Sequence, residues 1–408
     1  MHTSNTLKNA IKLSPIALAI GLATAPVQAE LLDDIATGIK EGSTKLSMRY
    51  RYEYVDQDGK DKEANASTLK SRITYTSAPI SGFIAGVEAD HVLVVGNDNY
   101  NSTENGKTEY PVVADPKGTD LNQAFLKYVG FENTTATLGR QRINLGDQRF
   151  VGGVGWRQNE QTYDGGRVEY AFSEALSVDA SYIWNVNRIF GPDGADSDLH
   201  GNIGALNLTY DAGKFGKVTA FDYYLDFDNN DGLSSNTVGF VYNGGYALSE
   251  TTKLGLKASY AMQSDAGDNP ASYDADYYLV EGSVKFKPVS VSAGYEVLGS
   301  DDGVSFKTPL ATLHKFQGFA DKFLVTPGDG VVDTYVKVAG SVAGVKLAAF
   351  YHNFESDEGS TDYGTEIDLV ASYKINKHFG ILGKYASYDA DDHATDTDKF
   401  WLQLTSTF

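Results

Sequence analysis

Apolar and polar residues alternate, one for one, in segment after segment of this 408-residue chain. Between residues 45 and 54, for example, Leu46 and Met48 alternate with Arg49 and Arg51. Successive side chains of a β-strand point to opposite faces, so a period of two predicts strands with one apolar and one polar face. The pattern therefore predicts an all-β chain.

The connections between these segments are of two kinds. Short ones, such as residues 78–81, 130–133 and 287–288, alternate with longer, mostly acidic ones, such as residues 97–119 and 265–276. Short turns at one end and long loops at the other are typical of bacterial outer-membrane barrels, whereas a soluble sandwich has no reason to sort its loops. We therefore predict a transmembrane antiparallel β-barrel of about 18 strands, with about 16 as the alternative, each long enough to cross a bilayer when tilted.

Both ends of the chain fit export to an outer membrane. Two lysines and a mostly apolar run precede Val27-Gln28-Ala29, which has the small residues of a cleavage site. Residues 1–29 are therefore predicted to be a secretory signal peptide. The rest of the chain, residues 30–408, is the predicted barrel domain, and its terminal Phe408 resembles the closing signature of such barrels.

Composition excludes several other classes. The net charge of -20 disfavours a nucleic-acid partner, which would require a basic face. The absence of cysteine excludes disulfides, thiol catalysis and thiolate metal sites. Residues 226–232 superficially resemble a calcium loop, but the glycine comes one place late and Thr237 stands where glutamate is required. We expect no cofactor and no bound metal.

One apolar set is expected to face lipid on the strand near residue 221. The alternation there is Phe221, Tyr223, Leu225 and Phe227 on one face, with Asp222 among the residues on the other. The polar row should then face the interior, as is expected for the other strands.

The nine arginines all lie between Arg49 and Arg188. Because an arginine facing lipid is costly, most of them are expected to face the interior, where rings of cations select anions. The predicted channel-lining residues are Arg49, Arg51, Arg72, Lys127, Arg140, Arg142, Arg149, Arg157 and Arg167. The alternative is that these cations pair with wall carboxylates, namely Glu53, Glu88, Asp90, Asp147, Asp164, Glu169 and Glu281.

Two long connections mix aromatic residues with cations, which is unexpected for a fully exposed loop. Residues 145–161 and 301–331 are therefore predicted to fold into the barrel and narrow it, although surface loops remain the alternative. The candidate constriction residues are Trp156, Lys307, His314, Lys315 and Phe316.

The run Leu138-Gly139-Arg140-Gln141-Arg142-Ile143-Asn144-Leu145-Gly146-Asp147-Gln148-Arg149-Phe150-Val151-Gly152 is the most distinctive part of the chain. With Trp156-Arg157-Gln158-Asn159 and Thr162-Tyr163-Asp164-Gly165, it resembles the alginate-export family of outer-membrane porins. The resemblance implies a monomeric barrel of about 18 strands with an arginine-rich conduit for an anionic polysaccharide or oligosaccharide. It also implies that Arg140, Arg142, Arg149 and Arg157 are channel residues.

The interpretation that follows is a non-enzymatic outer-membrane channel for passive diffusion of small anionic or carbohydrate solutes, including anionic oligosaccharides. A barrel enzyme is the first alternative, but the histidines show no catalytic pairing readable in sequence. A structural or adhesive barrel is the second, although about 18 strands enclose a lumen too wide for side chains alone to fill. The expected partners are outer-membrane lipid, lipopolysaccharide and the solutes, and the oligomeric state is a monomer or a trimer.

Overall fold

A computed structural model describes residues 25–408, and the side chains from residue 32 onward. Most of the predicted signal peptide lies outside the described residues, so its cleavage stays a prediction. Ala25–Lys40 form helix α1, directly before the first strand. No helix in the described part of the chain is long and apolar enough to cross a membrane.

Twenty strands follow α1, eighteen of them long. Their bounds are β1 Ser43–Gln57, β2 Ala64–Thr76, β3 Phe83–Asn99, β4 Gly118–Tyr128, β5 Thr134–Gln141, β6 Thr162–Ala171, β7 Leu176–Asn187, β8 Asp198–Asp211, β9 Lys217–Phe227, β10 Ser235–Ala247, β11 Thr252–Asp265, β12 Asp274–Phe286, β13 Val289–Leu298, β14 Ser300–Asp301, β15 Val304–Ser305, β16 Val331–Val342, β17 Val345–Glu355, β18 Asp362–Lys374, β19 Phe379–Ala390 and β20 Thr397–Thr407. The two short strands, β14 and β15, form a small separate hairpin.

The eighteen long strands form one closed antiparallel barrel. Each pairs with its neighbours along the chain, and β1 closes the ring by pairing with both β2 and β20. Arg51, for instance, lies opposite Thr68 on one side and Gln403 on the other. Closure leaves no unpaired sheet edge, which a strand surrounded by lipid requires. The prediction of an 18-stranded barrel is confirmed.

Large apolar side chains cover the outside of the barrel. Val280, Ile367 and Leu347 are 54%, 49% and 45% exposed, a degree of exposure that suits contact with lipid. On β1 the outward residues include Leu46 and Met48, as the alternation predicts, while the interleaved arginines point inward.

The predicted orientation of β9 is wrong. Phe221, Tyr223 and Leu225 are each 5% exposed and face the interior, and Tyr224 from the other row is 42% exposed on the outside. Protein side chains fill the interior at this point, because the ring of Phe150 in the 142–161 segment packs against Phe221 with the two ring centroids 4.9 Å apart. An apolar face therefore suits either side of this strand, and packing against a loop decides the orientation.

Three long loops fill the interior at one end of the barrel. They are the 100–117 loop between β3 and β4, the 142–161 loop between β5 and β6, and the 299–330 loop between β13 and β16. The last two bind each other through a short parallel bridge, where the Gly152 amide donates to the Leu310 carbonyl at 2.9 Å. At the opposite end, short connections such as residues 287–288 and 343–344 join the strands, and this end is called the short-turn end below.

Candidate functional site

The β1 arginines hold the 142–161 loop against the wall. Arg49 donates from Nε to the Gln158 side chain at 2.9 Å and from a terminal nitrogen to the Gly155 carbonyl at 2.8 Å. Arg51 donates to the Trp156 carbonyl at 2.5 Å, and its guanidinium lies 4.0 Å from the centre of the Trp156 ring. Both arginines point inward, but Arg51 is only 1% exposed. Arg51 therefore anchors the loop and does not contact water.

Arg157 is the centre of a buried ion cluster. It lies 3.2 Å from Glu53 on β1 and 3.2 Å from Asp321 in the 299–330 loop. Lys399 on β20 also contacts Asp321, at 2.8 Å. Burial alone lowers the pKa of Arg157, but Glu53, Asp115 and Asp321 outweigh burial and raise it above its ordinary value. With Asp115 of the 100–117 loop, 4.0 Å from Arg157, the cluster joins three loops to two strands.

Glu160 gathers a second set of cations. Its carboxylate lies 2.9 Å from Arg72, 2.5 Å from Arg142 and 3.7 Å from Lys70. Burial raises the pKa of Glu160, but these three cations more than compensate and hold the pKa below its ordinary value. Arg72 also forms a two-point pair with Asp90, at 2.6 and 2.5 Å. Of these residues, Arg142 keeps the largest exposed fraction, 29% of its side chain.

Arg149 fixes the meeting point of the two inward loops. It is 2% exposed and lies 2.7 Å from Glu296 on β13. Its guanidinium also sits 4.7 Å from the centre of the Phe316 ring in the 299–330 loop. Like Arg51 and Arg157, Arg149 is buried, so the prediction that these three line a water-filled path is wrong.

Arg140 directly follows Gly139, where the positive φ of 116° bends strand β5. The strand register aligns it with Ala124 and Asp164, in the same row as Leu138, which is 45% exposed on the outside. Its guanidinium forms a two-point pair with Asp164, at 2.7 and 3.0 Å. The next residue, Gln141, is 4% exposed and faces inward. The second partner of Arg140, Asp120 at 3.7 Å, lies opposite Asp90, which is buried and faces inward. The role of Arg140 in lining the channel therefore stays a prediction.

Arg167 and Lys127 lie on the inner row, near the short-turn end. Arg167 pairs with Asp179 at 2.5 Å and with Glu169 at 3.1 Å. Lys127 is half-buried, 5.8 Å from the centre of the Phe125 ring. Most of the predicted arginines therefore have carboxylate partners, and the pairing alternative describes them better than an open basic track does.

The most exposed cations on the inner rows are lysines, which composition alone does not single out. Five exposed lysines on inner rows surround the mouth of the barrel at the short-turn end, and we call them the lysine ring: Lys45, Lys253, Lys285, Lys346 and Lys374. None of the five has a carboxylate within ion-pair distance among residues 32–408, whose side chains the structure describes. The signal that finds them is the strand alternation, because each occupies an inner-row position close to a short turn.

The predicted constriction residues do not all lie together. Trp156 stacks on His314, with ring centroids 4.6 Å apart and planes 9° apart. His314 in turn contacts Asp321 through Nδ1 at 2.7 Å and the Lys384 ammonium through Nε2 at 2.8 Å. Burial is the main cause that lowers the pKa of His314 to about 3. Because Nε2 faces an ammonium it must accept, so the imidazole is neutral and donates from Nδ1.

The other constriction candidates are spread along the 299–330 loop. Lys307 lies 4.6 Å from the centre of the Tyr273 ring, close to the long-loop end. Lys315 donates to the Asp147 carbonyl at 2.6 Å, and Phe316 packs beneath Arg149. Both inward loops narrow the interior in this structure, but their candidate residues do not form a single ring.

The comparisons with known proteins agree with this architecture. The family model for alginate export matches residues 42–311, which is more than half of the chain. The chain belongs to the alginate export family. A search of curated proteins gave no match.

Solved structures with the same fold include outer-membrane channels from two bacteria. Acinetobacter baumannii OccAB2 superposes with a TM-score of 0.73 at 17% identity, covering 91% of this chain and 99% of that one. Pseudomonas aeruginosa OccK9 (OpdG) gives 0.72 at 17% identity, again with 91% and 99% covered. Family and fold together identify a porin-type channel of the bacterial outer membrane, and they give no support to a barrel enzyme.

Proposed function

We propose that this protein is a passive diffusion channel that favours small anionic solutes, including small anionic carbohydrates. The observation that carries the proposal is the lysine ring. Rings of lysine or arginine attract and select anions in pores. Since these lysines face water and have no carboxylate partner in the described part of the chain, their charge is available to a solute.

The buried arginines favour small solutes over a polysaccharide. Arg51, Arg149 and Arg157 are committed to carboxylates and loop carbonyls, so they have few donors left for a polyanion. A long anionic chain would also have to displace the 142–161 and 299–330 loops, which these arginines hold in place. A small solute requires no such rearrangement.

Carbohydrates are included because uncharged hydrogen-bonding groups lie near the lysine ring. A recess of about 530 Å³ in the wall contains Thr135, Asn144, Asn207 and Thr209. Hydroxyl and amide groups are the partners that sugar hydroxyls need. The two carboxylates in the same recess, Glu169 and Asp179, are both paired with Arg167.

Reversal potentials in planar bilayers test the proposal. In a tenfold KCl gradient, the wild-type protein is expected to be anion-selective, and the triple variant Lys253→Gln, Lys285→Gln, Lys346→Gln to lose most of that selectivity. The matched control removes three lysines from the long loops, as Lys60→Gln, Lys62→Gln, Lys107→Gln, and should keep it. Cation selectivity of the wild type would refute the proposal, and absence of any conductance would refute a channel.

A further inference from the structure

Two carboxylic acids lie side by side on the inner row of β18, beneath the 299–330 loop. Glu366 and Asp368 are two residues apart on one strand, so their side chains point to the same face. Both residues are completely buried, at 0% exposed. Their carboxyl groups lie within hydrogen-bond reach of each other. Two ionised acids in this position would be costly, because each would lose its water beside a like charge.

One oxygen of each carboxyl group holds the loop. The Ala320 amide donates to Oε1 of Glu366 at 2.7 Å, and the Phe319 amide donates to Oδ2 of Asp368 at 3.2 Å. Gly318, with a positive φ of 78°, packs so closely over Glu366 that a side chain at this position would collide with the carboxyl group. Residues 318–320, called the capping segment below, therefore cover the pair.

The other oxygen of each carboxyl group has no hydrogen-bond partner in the described part of the chain. These oxygens are Oε2 of Glu366 and Oδ1 of Asp368, and both are buried. A buried polar atom without a partner costs free energy. One proton between the two oxygens satisfies both, because a protonated carboxyl group donates and an ionised one accepts.

The neighbouring ionisable groups do not replace this proton. His352 lies 3.8 Å from Asp368, but its other ring nitrogen already contacts Asp333 at 2.9 Å. Lys384 contacts the His314 ring at 2.8 Å. No hydrogen bond from these groups reaches Oε2 of Glu366 or Oδ1 of Asp368. The ionisable groups that face the pair are Asp333 on β16, His352 on β17, Lys384 and Tyr388 on β19, and Asp321 and Lys322 in the loop.

We propose that Glu366 and Asp368 together bind one proton between Oε2 and Oδ1, and that this proton keeps the 299–330 loop docked inside the barrel. When the proton is lost, two negative charges lie in contact, and water reaches them only if the capping segment withdraws. Buried carboxylic acids can keep a proton up to about pH 8–9, so the loop is expected to loosen above that range. The inference does not depend on which ions the channel selects.

The direction of the pH effect separates the pair from the lysine beside it. The docked loop holds one more proton than the free loop, so the pair favours docking less as the pH rises. Lys322 has the opposite effect, because burial lowers its pKa to about 8 and docking becomes more favourable as the pH rises above that value. A phenol such as Tyr388 ionises only near about pH 10.

Infrared spectroscopy of the purified full-length protein, in a detergent without ester groups, tests for the proton. A protonated carboxyl group has a carbonyl stretch apart from the bands of carboxylates and amides, and exposed acids are ionised at about pH 7. The wild-type spectrum minus that of Glu366→Gln should contain one such band, which disappears as the pH is raised. Glu358→Gln, which changes an exposed glutamate, should retain the band. Its absence from the difference spectrum would overturn the proton site.

Hydrogen exchange at the Phe319 and Ala320 amides tests the effect on the loop. Glu366→Gln keeps an acceptor for Ala320 and a donor for Asp368 but cannot lose a proton, and the other facing groups are present in both proteins. After correction for base catalysis, the protection of the wild type relative to the variant should fall about tenfold for each pH unit above the pH at which the infrared band is lost. A ratio independent of pH would overturn the role of the proton in docking.

Loop release also widens the interior, so the wild type should conduct more than Glu366→Gln at alkaline pH and equally at about pH 7. Equal single-channel conductance at both pH values would overturn a role of the proton in gating. Cation selectivity of the wild type would remove the function proposed above without changing the infrared result. Absence of the infrared band would remove the proton site without changing the selectivity.

Discussion

Individual side chains show how far sequence reasoning reaches in this barrel. The alternation correctly turns Arg49 and Arg51 inward, because their neighbours Leu46 and Met48 suit lipid. It cannot reveal that Arg157 pairs with Glu53, more than a hundred residues away in sequence. Ion pairs between distant segments depend on how loops fold, and no local pattern records that.

Removing Arg157 is expected to destabilise the protein strongly. Arg157→Gln leaves Glu53 without its cation in a site where both side chains are almost completely buried, which costs about 3–5 kcal/mol. Urea unfolding in detergent micelles measures the change. Lys62→Gln is the control, since Lys62 and Glu109 form an exposed pair, and exposed pairs contribute little to stability. Equal effects of the two substitutions would contradict the burial argument.

His314 should make docking of the 299–330 loop depend on pH. Its pKa is about 3 when docked and about 6.5 when the loop is free, so the free loop binds more protons between those values. The contribution of His314 to docking is therefore complete above about pH 6.5 and decreases as the pH falls toward 3. Asp321, whose pKa lies well below its ordinary value, adds a further loss only at lower pH.

Hydrogen exchange at the amides of Phe319 and Ala320 reports this docking, because they donate to Asp368 and Glu366 on β18. Protection should fall between pH 7.5 and pH 5 in the wild type. His314→Gln keeps a donor for Asp321 and an acceptor for Lys384 but cannot titrate, and the wall carboxylates and Lys384 act equally in both proteins. The same pH dependence in the variant would show that His314 is not responsible.

At the scale of whole strands, the period of two predicts which residues share a face but not which face is outside. It succeeds where one row is charged, as on β1, and fails on β9, where both rows contain apolar residues.

Phe221→Ala should lower the free energy of unfolding by about 3–5 kcal/mol, because the ring packs against Phe150 in the interior. Tyr224→Ala, three residues along and facing outward, should cost much less. Urea unfolding measures both losses of stability. A larger loss for Tyr224→Ala than for Phe221→Ala would support the orientation predicted from the sequence.

At the scale of the whole molecule, strand number and closure follow from the sequence because each strand must satisfy its backbone in lipid. The folding of the 142–161 and 299–330 loops into the interior is only suggested by their composition. Their contacts depend on three-dimensional packing. The distribution of charge between the two ends of the barrel depends on both. The topology determines at which end each residue lies, and the packing determines which residues are exposed.

The two ends of the barrel carry opposite charge, and the current should therefore depend on direction. The lysine ring surrounds the short-turn end, whereas exposed acids dominate the long loops, including Asp58, Asp61, Glu104, Asp193, Asp228, Asp268, Asp302, Asp329, Glu358 and Asp392. Anions concentrate at the lysine end and are depleted at the acidic end. At about 0.1 M KCl, where charges act over about 10 Å, current should be larger when anions enter from the lysine end.

At about 1 M KCl the screening length falls to about 3 Å, so this rectification should nearly vanish. The triple variant Lys253→Gln, Lys285→Gln, Lys346→Gln should reduce it at low salt, because anions would no longer be concentrated at that end. Single-channel current–voltage curves of channels inserted in one orientation provide the measurement. Rectification that persists unchanged at high salt would point to loop movement rather than fixed charge as its cause, because screening does not affect a steric gate.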